Sequence, residues 1–277
     1  MTYGALAFLL LIVGLFTLLH TPWFKRYARD FVVRQSHSIL EGDLSIGQLD
    51  GDFLSGLVLN DVVIRQGSQT PVQIRRLGVR YSVAQVARGN AIVIDRLEVG
   101  GLTMQIARLP SGGINVGSLF KKRPPSGKPR RTIDIREIQL DEADLTFHDP
   151  WGPSWMRLPR HITRLTSTLG LLWQEGRFTF PIRALRAESF DPALSVQSFA
   201  GTVGIDNDGW NVSNGKFRTA GTTLTVSASF KRSGYDVSAQ APAFDFPEMA
   251  RIVPGLKSID VPAIVQLVMR GPQVGTR

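Results

Sequence analysis

The stretch Ile92 to Ile106, IVIDRLEVGGLTMQI, places apolar residues at Ile92, Ile94, Leu97, Val99, Leu102, Met104 and Ile106. They fall in alternating runs two positions apart, stepped by one extra residue between Ile94 and Leu97 and again between Val99 and Leu102. Alternation puts side chains on one face of a β-strand, and an inserted residue at a bulge or tight turn keeps the following run on that face. The spacing belongs to strands, not to a helix. Moving forward 41 positions refills every slot, with Ile133, Ile135, Ile138, Leu140, Ala143, Leu145 and Phe147 in IDIREIQLDEADLTF. Moving back 40 positions from Leu97, Val99, Leu102 and Met104 gives Leu57, Leu59, Val62 and Ile64. The chain repeats a one-faced apolar strand.

With 277 residues, 43% hydrophobic and 20% charged, the chain has the composition of a packed protein. It has no cysteine, which excludes disulfide frameworks, thiol nucleophiles and cysteine-ligated metal sites. The net charge of +9 suits an anionic partner, nucleic acid or a phospholipid surface. Much of that excess is local: KKRPPSGKPRR, Lys121 to Arg131, is basic without an acidic residue, and its Pro, Gly and Ser mark a solvated loop. Lys121, Lys122, Arg123, Arg130 and Arg131 are its candidate contacts to lipid head groups.

Tyr3 to Leu19, YGALAFLLLIVGLFTLL, runs 17 positions without a charge and as a helix extends about 25 Å. This predicts a transmembrane anchor over residues 1–20, carried by Leu6, Phe8, Leu11, Ile12, Leu15 and Phe16, with Trp23 at the interface. Lys25, Arg26 and Arg29 follow the span, so the positive-inside rule read literally leaves the body in the cytoplasm; charge alone leaves topology open. Thr21-Pro22 reads as an N-cap and first helical residue. The helix it opens, over residues 21–40, carries Phe24, Tyr27, Phe31 and Ile39 on one stripe with Lys25, Arg26 and Arg29 beside it. That pattern fits either a helix at a membrane surface or a plug for the end of a β core.

From Glu41 the sequence turns β, in short segments punctuated by Gly, Asp and Asn. Residues 41–149 form a first region of β repeats, interrupted by SVAQVARGN (Ser82 to Asn90), GGINVGSLF (Gly112 to Phe120) and the basic loop. Residues 150–277 open on a Pro/Trp-rich segment and continue as an antiparallel meander, with turn signals at Asn207-Asp208-Gly209, Asn214-Gly215 and Ser233-Gly234. FPEMARIV reads as a short helix, and the strand after it breaks off at Arg277, which suggests the N-terminal part of a longer protein.

Site chemistry is absent from the sequence patterns. The four histidines form no HExxH, and no GxxxxGK[ST], strand-to-helix GxGxxG or GxSxG occurs. His148-Asp149 sits before Pro150, where turn chemistry accounts for it, and alternation places Glu142 and Asp144 on a polar strand face. No nucleic-acid motif, metal site or cofactor cradle is expected, and the expected protein is not an enzyme.

A row of one-faced strands must bury that face against another layer or against something apolar that is not protein. With few helices to cover it, the sheet either curls on itself or forms an open trough. In a trough the natural guest is an acyl chain, worth about 0.8 kcal/mol per buried methylene. The candidate wall is Ile94, Leu97, Val99, Leu102, Met104 and Ile106, with Ile135, Ile138, Leu140, Leu145 and Phe147.

The order of an apolar N-terminal helix, an amphipathic lead-in, LDGDFLSGLVLNDVVI, the Ile92–Ile106 stretch, INVGSLF, a Lys/Pro-rich loop and IDIREIQLDEADLTFHD resembles the start of the TamB and AsmA-like proteins of Gram-negative envelopes. GTVGIDNDGWNVSNGKFRTAGTTLTVSASF is similar to their meander repeats. The resemblance implies a mainly β fold with a few short helices: an N-terminal transmembrane helix, then an elongated, curved antiparallel sheet forming an open apolar groove (a β-taco). It implies a single-pass inner-membrane protein with its bulk in the periplasm, conducting phospholipids between the inner and outer membranes. Its alternative is a scaffold or chaperone-like aid to outer-membrane protein assembly with a barrel partner, met through a C-terminal region that has no counterpart here.

Overall fold

The structure, a computed structural model, describes residues 21–38, 40–53, 55–82, 91–109, 115–119, 121, 132–148, 157–259, 261 and 263–272. Among these, three α-helices and one 3-10 turn (Pro254–Leu256) accompany thirteen strands. The helices are α1 (Pro22–Ser36), α2 (Asn115–Ser118) and α3 (Phe246–Met249). The first strands are β1 (Asp43–Asp52), β2 (Gly56–Gln66), β3 (Gln69–Arg80), β4 (Ala91–Ile94), β5 (Arg96–Ala107) and β6 (Thr132–His148). The rest are β7 (His161–Gln174), β8 (Arg177–Phe190), β9 (Leu194–Ile205), β10 (Gly209–Arg218), β11 (Thr223–Lys231), β12 (Gly234–Phe244) and β13 (Ala263–Gly271). All thirteen belong to one sheet, twelve of them in chain order, while β4 lies off that path and pairs with β6, so that β3 pairs directly with β5.

The sequence repeat is the register of this sheet. β5 and β6 run parallel, with Leu97 opposite Ile138, Val99 opposite Leu140, Met104 opposite Leu145 and Ile106 opposite Phe147. Each residue therefore lies beside the one 41 positions on. β2 and β5 flank β3, both antiparallel to it, so Leu57–Val79–Leu97 and Leu59–Leu77–Val99 form continuous lines. A parallel pair needs a crossover of a dozen residues or more, and the chain between Ala107 and Thr132 is long enough for one. Part of that crossover is α2, fixed by Asn115: its side-chain oxygen accepts the Ala107 and Val116 N–H groups at 2.9 Å, and its amide donates to the Gln105 carbonyl at 2.9 Å. Leu119 beside it is buried.

The inserted residues lie on one transverse crease. Asp61, Gly101 and Glu142 each have a positive φ, of 54°, 63° and 51°, and Arg75 lies between Asp61 and Gly101 by register. On β6 three positions separate Leu140 from Ala143 where β7 spends two, Ser167 to Leu165, which is the arithmetic of a bulge. The Arg75 guanidinium crosses over Gly101 to reach Glu142 at 2.9 Å. A Cβ at Gly101 would push that exposed guanidinium aside, and the φ of 63° favours glycine there.

From β6 to β13 every pairing is antiparallel. The turns at 207–209 and 233–234 connect strands as the sequence suggests, but Asn214-Gly215 is no turn. It is a bulge inside β10, with Asn214 at φ 53° and Gly215 backed closely against Gly201. A residue at positive φ serves a bulge as well as a hairpin, and the actual reversal comes at Thr219–Thr222, where the Thr219 N–H donates to the Thr222 carbonyl.

Helix α1 starts as read: Thr21 caps it, its hydroxyl accepting the Phe24 N–H at 3.2 Å. The expected fold nevertheless needs correction. Among the described residues no helix is long and apolar enough to cross a membrane. Trp23 sits in the first turn of α1, which has only fifteen residues and carries Lys25, Arg26, Arg29, Asp30 and Arg34. The segment expected to span, residues 1–20 with Leu6, Phe8, Leu11, Ile12, Leu15 and Phe16, lies outside the described residues. A single-pass inner-membrane anchor is therefore not shown, and the expected location with the bulk in the periplasm falls with it. The curved, wholly antiparallel trough is corrected too. One long sheet runs from β1 to β13 without curving into a groove, and it contains the parallel β4–β6 and β5–β6 pairs.

Candidate functional site

The apolar side chains are gathered into transverse rows, each crossing many strands on one face. One row reads Leu49, Leu59, Leu77, Val99, Leu140, Ser167, Leu185, Phe199, Phe217 and Leu224 from β1 to β11. Its single polar member, Ser167, is buried, and its hydroxyl donates to the Ala184 carbonyl at 2.9 Å. A second row passes through Leu44, Ile64, Val72, Met104, Leu145 and Ile162. Between them Ala143, Leu165 and Ala187 form a buried centre against which Leu102, Leu140, Leu145 and Leu185 pack.

All eleven candidate wall residues fall in this pattern. Ile94 pairs with Ile135, Leu97 with Ile138, Val99 with Leu140, Met104 with Leu145 and Ile106 with Phe147, while Leu102 packs on the buried centre. Val99 is buried and the other ten are half-buried. Among the described residues no second sheet lies over this face. Helix α1 packs on β1, and α2 on β3 and β5.

A third row shows what sequence reasoning missed: Ile133, Trp173, Phe178, Ile205, Trp210, Phe230 and Tyr235 follow one another across β6 to β12. Trp210 stacks on Phe230 with centroids 4.4 Å apart, and Trp173 on Phe178 at 6.1 Å. Phe178, Ile205, Trp210 and Tyr235 remain 37% to 45% exposed. The available signal was their place one or two residues from a hairpin turn; only the register reveals the line.

The opposite face is ionic around the repeats. Arg80 and Arg96 approach Glu98 at 3.6 and 3.9 Å, Arg96 reaches Glu137 at 3.1 Å, and Arg183 reaches Glu137 at 3.4 Å, linking β3 to β8. Such exposed pairs contribute about 0–1 kcal/mol each. They make this the wetted side.

Among the candidate head-group contacts, Lys121 donates to the His37 carbonyl at 2.7 Å and so ties the crossover to the end of α1. Lys122, Arg123, Arg130 and Arg131 lie outside the described residues. Two groups have displaced titrations. Burial, aided by the Asp52 carboxylate, pushes the Tyr81 hydroxyl up, and that hydroxyl donates to the Phe53 carbonyl at 2.7 Å. The Asp206 carboxyl is held low chiefly by the Asp208 N–H, with the Gly209 N–H and Arg177 adding to it. Tyr81 thereby fastens the end of β3 to the β1–β2 turn, and Asp206 holds the turn between β9 and β10. Among the described residues no group of three or more His, Asp or Glu side chains could hold a metal ion.

No model of a known protein family matches the chain, and no curated protein matches its sequence.

Proposed function

We propose that the apolar face of the sheet binds phospholipid acyl chains and lets them pass along its rows between membranes. The observation that carries this reading is the continuity of half-buried apolar rows across β1 to β11 on a face that, among the described residues, no second sheet covers. Each methylene laid on such a row contributes up to about 0.8 kcal/mol, and a charged head group remains in water at the sheet margin. No catalytic residue or cofactor is needed. The resemblance to TamB and AsmA-like proteins favours the same role. The test is lipid extraction and mass spectrometry of the purified protein, with displacement of a spin-labelled phospholipid. Binding is expected to weaken in Leu97→Glu and Met104→Glu variants that keep wild-type circular dichroism. Protein free of phospholipid, with probe affinity unchanged in those variants, would sink the reading.

A second reading, strand donation to a client β-protein such as an outer-membrane barrel precursor, is favoured by β13. Its outer edge pairs with nothing among the described residues. Ile264 and Val268 are 83% and 59% exposed, on the face that carries Ser238 and Gln240 in β12. Crosslinking from position 268 to unfolded barrel precursors without lipid would favour it.

A further inference from the structure

Helix α1 carries apolar residues on both sides, and its aromatic stripe is the side turned away from the sheet. Toward β1 it turns Ala28, Arg29, Val33 and Ser36, all half-buried or buried. Arg29 donates to the Gly47 carbonyl of β1 at 3.2 Å and pairs with Asp30 at 2.8 Å. Phe24 meets Phe53 edge-on at 5.1 Å. On the far side Trp23, Tyr27 and Phe31, spaced four apart, stand 67%, 52% and 47% exposed. Trp23 and Tyr27 stack with centroids 6.0 Å apart. The exposed Arg26 and Arg34 flank this stripe, and the one acidic residue of the helix, Asp30, is already held by Arg29.

A packed helix ordinarily buries its apolar stripe and wets its charged one. Here a charged side chain helps to fasten the helix to the sheet, and the rings face outward. Tryptophan and tyrosine rings have a ring body that prefers hydrocarbon and a polar atom that prefers water, which suits the head-group level of a bilayer. Arginines beside them select anionic head groups, and the two attractions add.

We propose that the Trp23–Tyr27–Phe31 face of α1 docks on the surface of an anionic phospholipid bilayer, with Arg26 and Arg34 among the head groups. The helix lies in the plane of the surface, and the contact requires no spanning segment. It is independent of the sheet's rows, since the two surfaces share no residue.

The test is co-sedimentation of the full chain with vesicles of phosphatidylcholine alone and of phosphatidylcholine mixed with phosphatidylglycerol. Binding is expected to the anionic vesicles, and to weaken from low salt to 0.15 M, where the screening length is about 8 Å. A Trp23→Ser/Tyr27→Ser/Phe31→Ser variant should lose that binding with Tm unchanged, because the three rings are exposed. An Arg26→Gln/Arg34→Gln variant should fall to the level seen with phosphatidylcholine alone. Leu97→Glu, on the sheet, should sediment as wild type whether or not the sheet binds acyl chains. A triple variant that still binds like wild type, or wild type that does not distinguish the two vesicles, overturns the proposal. Aromatic-dependent capture of a protein partner without affinity for vesicles overturns it as well.

Discussion

From β1 to β6 the apolar face is mainly aliphatic and strands β2, β5 and β6 are related by offsets of 40 and 41 residues, whereas from β7 to β13 aromatic rings line the turn-proximal margin and no such offset holds. The first region spends a long crossover to set two similar strands side by side. The second closes short hairpins and secures their ends with stacked rings. Both reach the same result, a one-faced sheet, because each corrects its alternation with an inserted residue at positive φ: Gly101 and Glu142 on one side, Arg164 and Asn214 on the other. One face can thus be kept apolar by repetition or by local turn chemistry, and rows such as Val99–Leu140–Ser167–Leu185 pass from one regime to the other without a break.

The row that crosses both regions offers the harshest test. Val99→Asp places an unpaired carboxylate at a buried site and is expected to cost about 3 kcal/mol or more. Ser167→Ala, on the same row, removes one hydrogen bond and should cost about 1 kcal/mol. Urea melts of the two variants measure the difference; equal losses would mean that the row does not discriminate between the regions. The creases come next. Gly101→Val forces a β-branched residue to a φ of 63° and displaces Arg75 from Glu142, for an expected loss of about 2–3 kcal/mol. Asn214→Ala meets only the left-handed φ and should lose about 1 kcal/mol. Trp210→Ala should cost about 1–2 kcal/mol from the stack on Phe230 and lost burial, and in a lipid-displacement assay it should weaken binding less than Leu97→Glu if the aliphatic rows are the principal surface.

The smallest effect concerns acid. Asp206 titrates below the usual carboxylate range in the folded chain, so its contribution is present above its unfolded value and is lost as pH falls through the depressed folded one. An Asp206→Ala variant should therefore show a shallower fall of Tm with acidification. An unchanged slope would mean that the 206–209 turn holds without its carboxylate.

The sequence exposed the strand pattern and its inserted residues because both are local: the two-by-two spacing around Gly101 and Glu142 marks the extra position in each strand. The offset of 41 was equally visible, but its meaning as parallel register was not. Residues 108–131 read as an interruption and a basic loop, and nothing in them announces a crossover. Asn214-Gly215 was misplaced because the same φ serves bulge and turn. The aromatic row was invisible because its seven members come from separate strands and meet only through pairing. The α1 stripe was half legible: Tyr27 and Phe31 were grouped with Phe24, but Phe24 turns inward to Phe53 and Trp23 takes its place outside.

The two margins of the sheet also differ. β1 is overlaid by α1, with Arg29 reaching the Gly47 carbonyl, while β13 has no outer neighbour among the described residues. At about 4.8 Å per strand, the path from β1 to β13 measures roughly 50 Å. Such a sheet is a ruler with one end fastened: α1 grips β1, and the open backbone edge of β13 is the place where a further strand can pair without disturbing the register set at β1.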